Sequence, residues 1–220
     1  MNWFKRTFSY SIGKKVLMSV SGLFLLLFLI VHVSGNFLLF KGDGGVAFNE
    51  YSHIMTTNPI IMIVEVGTFM FFFLHIIDGI MLWLKNRGSR PTRYAKTAAS
   101  SNTSWSSRNI IVTGALILLF LIIHLKTFFV PYRIEGSVPN LFELTKEAFQ
   151  SPLYVAFYVF SMVLLGLHLH HGIASAFQTL GLRHPNYYSF VKGMGVVLSI
   201  IICGGFASMP LYFFFDKIFN

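Results

Sequence analysis

Five long apolar runs, separated by shorter polar gaps, constrain this chain more than any other feature. A membrane-spanning helix needs roughly 20 predominantly apolar residues. The runs predict helices at about Lys15–Phe40, Pro59–Leu84, Asn109–Val130, Pro152–Leu180 and Phe190–Phe215. Pro59 and Pro152 suit first-turn positions, where a missing N–H removes no helical bond. Only 11% of residues are charged, against about 25% in soluble domains. The expected fold is an all-α membrane protein, a five-helix bundle with residues 1–220 as one integral membrane domain. The first run is too long for the apolar core of a signal peptide and is read as an uncleaved span. Lys85 to Arg108, rich in Ser, Thr and Arg, is read as a loop, and the segment Lys41–Asn58 as another.

Charge orients the bundle. Lys5, Arg6, Lys14 and Lys15 precede the first run. Lys85, Arg87, Arg90, Arg93, Lys96 and Arg108 fill the second gap, and Arg183 and Lys192 the fourth. Those twelve lie on one side; Lys41, Lys126, Arg133, Lys146 and Lys217 lie on the other. Basic loops stay cytoplasmic, so the N-terminus is expected inside and the C-terminus outside. The net charge of +9 therefore serves topology, anionic lipid or a protein partner, and no nucleic acid. The single cysteine, Cys203, excludes an internal disulfide, and without a CxxC motif a cysteine-held zinc or iron–sulfur centre is not expected.

Histidines fall one per span on the first four: His32, His75, His124 and His168. Polar residues inside a membrane are costly and usually functional. One such histidine reads equally well as a hydrogen-bonded core residue; four on successive spans do not. His32 stands eight residues before Phe40 and His124 seven before Pro131, so both lie roughly 10–12 Å from the outer end. His75 and His168 lie nearer the inner end. Two layers of two imidazoles suit two six-coordinate haems, whose porphyrins supply four equatorial nitrogens. Gly35, Gly79 and Gly172 stand three or four residues after His32, His75 and His168, on the same helix face, where they would clear a wall for a flat ring. Each would serve equally for close helix packing. In the run His168–Leu169–His170–His171, His168 is the axial candidate. His171 lies one turn deeper on nearly the same face and could approach a haem propionate, and His170 is turned about 200° away. His53 and His184 fall in or near loops.

Certain segments resemble the five-helix, dihaem cytochrome b membrane anchor of succinate dehydrogenase and fumarate reductase. They are SIGKKVLMSVSGLFLLLFLIVHVSGN (11–36), NEYSHIMTTNP (49–59), FLHIIDG (73–79), LIIHLKTF (121–128) and LHLHHGIASAFQTLG (167–181). The resemblance implies His75 with His168 on a haem b nearer the cytoplasm and His32 with His124 on an outer haem b. It implies a flavoprotein subunit and an iron–sulfur subunit docked on the cytoplasmic face of a bacterial inner membrane. A quinone, usually menaquinone, would be the membrane substrate, with no dicarboxylate site in this chain. Gly166 departs from relatives that carry a glutamate there for proton movement, which favours succinate oxidation as the direction.

With quinone expected near the outer layer, under the segment Lys41–Asn58, Glu50 is the candidate proton donor, with Tyr51 and His53 as weaker ones. Two other classes compete. Other membrane cytochromes b distribute their ligands differently over their helices. A transporter with a histidine proton relay would need acidic partners near midplane, and Glu65 and Asp78 form no evident pair in the sequence.

Overall fold

The structure, a computed structural model, describes residues 11–88 and 108–219. Most of these residues are helical, with no strand among them, and five helices are long and apolar enough to cross a membrane. The helices are α1 (Ser11–Asn36), α2 (Val46–Thr57), α3 (Pro59–Gly88), α4 (Ile110–His124), α5 (Leu141–Ala148), α6 (Pro152–Thr179) and α7 (Pro185–Phe219). A 3₁₀ turn, Phe37–Phe40, prolongs α1, and a π-helical segment, Leu125–Ile134, prolongs α4. The expected five spans are all present. Arg90, Arg93 and Lys96 lie outside the described residues, as do Lys5 and Arg6.

Local chemistry sets the ends. Ser151 caps α6 by accepting from the Tyr154 N–H, with Pro152 in the first turn. Gly181, at φ 77°, closes the same helix. There the Leu182 N–H reaches Phe177 O at 2.9 Å and the Gly181 N–H reaches Gln178 O at 3.2 Å. This pair of bonds needs a left-handed residue, which glycine adopts without steric penalty.

Two expectations change, and one further helix appears. The segment Lys41–Asn58 is not a loop: it holds α2, whose N-terminus Asp43 caps by accepting from Gly45 N (3.0 Å) and Ala47 N (3.1 Å). A second short helix, α5, starts where Asn140 Oδ1 accepts from Glu143 N at 3.1 Å. Both are too short and polar to register as apolar runs, although Asn140-x-x-Glu143 is a recognisable helix start. The third span does not stop at Val130, before Pro131, but runs to Ile134. Proline lacks an N–H and breaks α-helical pairing; the chain accommodates it in the wider π form, closed by Glu135 N to Val130 O at 3.0 Å.

α6 is the spine. It packs most heavily on α7 and also on α1 and α4, while α1 packs on α3. α3 and α4 scarcely touch. The first four spans thus form a ring in the order α3–α1–α6–α4, open between α4 and α3, with α7 outside against α6. The apolar core runs through Val33, Tyr158, Met162, Ile202 and Phe206. α2 and α5 sit together over one end. Asn49 Nδ2 donates to Asn140 Oδ1 at 2.9 Å, and the Phe142 N–H donates to Asn49 Oδ1 at 3.0 Å.

Candidate functional site

The four span histidines meet in two pairs. His32 of α1 faces His124 of α4 with ring centroids 6.1 Å apart, and His75 of α3 faces His168 of α6 at 6.2 Å. These pairs cross the diagonals of the four-helix ring, between helices whose backbones make little contact. Edge-to-face rings at such spacing can be simple aromatic contacts. The diagonal placement is more informative, because the imidazoles alone reach into the space that the backbones leave.

The layers have a fixed separation. A Cβ on Gly22 of α1 would stand 3.2 Å from His75 Cε1, and one on Gly114 of α4 would stand 3.6 Å from His168 Cε1. Each glycine precedes the outer-layer histidine of its own helix, His32 or His124, by ten residues. At about 1.5 Å per residue both helices place the layers about 15 Å apart. Gly22 and Gly114 were not singled out in the sequence. Their shared spacing of ten residues before a histidine was the available signal.

The protonation pattern of the inner pair follows from its neighbours. The fully buried Ser21 Oγ donates its one hydrogen to Met18 O (3.1 Å) and lies 3.3 Å from His75 Nδ1. The Met18 carbonyl is also a hydrogen-bond partner of the His75 ring; with a proton on His75 Nδ1, both neighbours can accept it and Nε2 keeps its lone pair. In the outer layer Asn36 Nδ2 donates to His32 O at 2.7 Å and lies 3.4 Å from His32 Nδ1. The buried Nδ1 atoms of His124 and His168 have no hydrogen-bond partner. An unsatisfied buried polar atom costs about 1–3 kcal/mol.

The other candidates are dispersed. His171 Nε2 lies 3.1 Å from Ser175 Oγ on its own helix, half-buried, and His170 is exposed. His53 and His184 are exposed, His184 stacking on Tyr187. Gly172 has open space where a Cβ would be, and Gly79 would make an ordinary contact of 3.4 Å with Met18. Gly35 does not open onto the histidines: its bare face receives the Tyr51 ring of α2. Burial holds the Tyr51 phenol above its ordinary value of 10.0, so it stays protonated. Glu50 is exposed on α2.

One intramembrane acid, Glu65, has a partner that the sequence did not show, while Asp78 Oδ2 has no hydrogen-bond partner. Glu65 pairs with Arg133 of the π segment, Oε2 to Nε 3.3 Å. Sequence separation hid this contact, since 68 residues divide the partners. Asp78 is buried near Lys14, whose ammonium also lies 3.5 Å from Met81 Sδ.

Among the described residues no three His, Cys, Asp or Glu side chains converge on a point that could hold a metal ion. Each histidine pair offers two nitrogens, so a metal between them would need its remaining ligands from a cofactor. The donor set, two imidazoles per layer from opposite helices, suits a group that brings its own remaining ligands. The glycines beside His75 and His168 leave those rings room. The Nδ1 atoms of His124 and His168 lack the acceptor that a metal-bound histidine ordinarily has for its other N–H. Comparison with protein-family models, curated proteins and solved structures gave no match. The fold defines a helical protein with five membrane-length spans and two cross-bundle histidine pairs.

Proposed function

We propose that the chain is the membrane anchor and electron-transfer cytochrome b subunit of a succinate:quinone oxidoreductase or quinol:fumarate reductase. The observation that carries this reading is the pair of histidine contacts across the bundle diagonals, at 6.1 and 6.2 Å. His75 and His168 would hold one haem b, and His32 and His124 the other. Bound there, the haems would supply one-electron transfer. Ser21, accepting from a proton on His75 Nδ1, would leave Nε2 as the donor. The apolar spans exclude water from both layers, and Gly22 and Gly114 give the inner rings their room.

The flavoprotein and iron–sulfur subunits dock on the cytoplasmic face, through the basic residues Arg87, Arg90, Arg93 and Lys96 that follow the second span in the sequence. Menaquinone is the membrane substrate, in a bacterial cytoplasmic membrane with the N-terminus inside. Electrons from succinate enter on that side. Moving them outward in a negative-inside membrane is favourable by about 2.3 kcal/mol per charge per 100 mV, which helps a weak reductant reduce a low-potential quinone. The chain itself carries no dicarboxylate chemistry.

The test is to purify the chain with its partners and measure haem by alkaline pyridine assay and reduced-minus-oxidised spectra. Two b-type haems per chain, reducible by succinate, are expected. A colourless preparation would end this reading, and haem reducible only by another donor would assign the chain to a different respiratory complex.

A further inference from the structure

Asp78 is the only carboxylate at its end of the bundle. The chain has eight Asp and Glu side chains. The other seven lie in the outer half of α3, in the segments that join spans at the outer end, or at the far end of α7. Asp78 is 3% exposed, and its Oδ2 meets no hydrogen-bond partner. It stands three residues after His75, one turn along the same helix face. The seam between α1 and α3 runs past it in three steps. Ser21 Oγ lies 3.3 Å from His75 Nδ1, a Cβ on Gly79 would meet Met18 Cε at 3.4 Å, and Lys14 Nζ lies 3.5 Å from Met81 Sδ. Lys14 is the cation whose charge acts on Asp78. Of the other elements around α3, α4 carries Arg108 at its inner end and α6 carries His168 and His171; α2 packs on α3 at the outer end. A buried carboxylate oxygen without a partner is costly inside a membrane and marks a functional group. In apolar surroundings its proton responds to any charge that appears nearby.

We infer that Asp78 is the proton-binding partner of the inner histidine pair, taking up one proton when the group held by His75 and His168 gains one electron and releasing it when that electron leaves. The inference rests on the cytochrome reading. The electron comes from the one-electron donor on the cytoplasmic side, and the proton from water on that side. One O–H bond forms on the Asp78 carboxylate, and no other bond changes. Protonation removes the repulsion between the carboxylate and the added electron. Lys14 opposes protonation and so sets the pH at which the exchange occurs. Asp78 acts through space on its neighbour and touches no substrate.

The test is a redox titration of the purified complex over a range of pH, with the two haem components resolved spectrally. In wild type the inner midpoint falls as pH rises, by up to about 59 mV per pH unit, the limit for one proton per electron. Asp78→Asn, neutral at every pH, holds the inner midpoint flat at the value that wild type reaches at low pH. The outer component is the same in both. Lys14→Gln keeps the slope and moves it to higher pH. Reduction of wild type also produces a carboxylic C=O band in the infrared difference spectrum that Asp78→Asn lacks. An inner midpoint independent of pH in wild type overturns the inference. So does a slope that persists in Asp78→Asn, because the proton then sits on another group. Equal changes in both components overturn it too, since Asp78 would then only brace α1 against α3. If Asp78→Asn does not assemble, Lys14→Gln decides, and an unmoved curve there overturns the inference. A wild-type preparation without haem would end the cytochrome reading, whereas haem with a pH-independent inner midpoint would end this inference alone.

Discussion

Ser21 Oγ lies 3.3 Å from His75 Nδ1 while donating its own hydrogen to Met18 O. One hydroxyl on α1 thus stands as an acceptor beside Nδ1 of an α3 histidine. Ser21→Ala removes that acceptor, at a cost of about 1 kcal/mol. The expected outcome is a shifted midpoint potential for the inner haem alone, read by redox titration. An equal shift in both components would show that Ser21 acts on the whole bundle.

The histidines should fail in pairs. His75→Ala and His168→Ala are expected to remove the same spectral component, and His32→Ala and His124→Ala the other, because the rings meet in those combinations. His171→Ala should keep both, since its Nε2 is engaged by Ser175 on its own helix. Loss of a component in His171→Ala with both retained in His168→Ala would reassign the inner ligand.

Gly35 and Gly172 should behave differently. A Cβ at Gly35 would enter the Tyr51 ring, whereas one at Gly172 meets open space. Gly35→Ala is expected to destabilise the protein by about 1–3 kcal/mol, the usual range for overpacking. The loss would appear as a lower melting temperature in detergent with haem content retained. A Gly35→Ala variant as stable as wild type would mean that Tyr51 leaves the notch freely.

The cap of α2 carries a pH dependence. Burial alone would raise the Asp43 carboxyl, but the N–H groups of Ala47 and Gly45, together with Lys41, more than offset this and hold it below its ordinary 3.8. A depressed folded value means the cap's contribution is present above the unfolded value and disappears as pH falls through the folded one. Protection of the α2 amides, relative to their intrinsic exchange at each pH, is therefore expected to fall only below pH 3.8 in wild type. Asp43→Ala, which removes the acceptor, should exchange faster already at neutral pH. Identical exchange in the two proteins at neutral pH would remove Asp43 as the cap.

The basic gap after α3 should hold the soluble subunits. Neutralising Arg87, Arg90, Arg93 and Lys96 together is expected to lower co-purification of the flavoprotein and iron–sulfur subunits, more so at higher salt. Unchanged retention, with normal membrane insertion, would leave these residues with topology and lipid alone.

The spans and the depth of each histidine were legible in the sequence. Helix length follows from run length, and depth follows from a constant rise per residue. His32 and His124 could be placed in one layer, and His75 and His168 in the other, by counting along single helices. Counting could not tell which helices lie on a diagonal, or that Gly22 and Gly114 stand behind the inner rings. Those facts depend on how each helix is rotated against its neighbours, which side-chain packing over the whole bundle decides. The same holds for Glu65 and Arg133, which look like isolated charges along the chain and become partners only because the π segment carries Arg133 back toward α3. α2 and α5 escaped because short helices take their stability from contacts across the chain, such as Asn49 with Asn140, rather than from a periodic apolar pattern of their own.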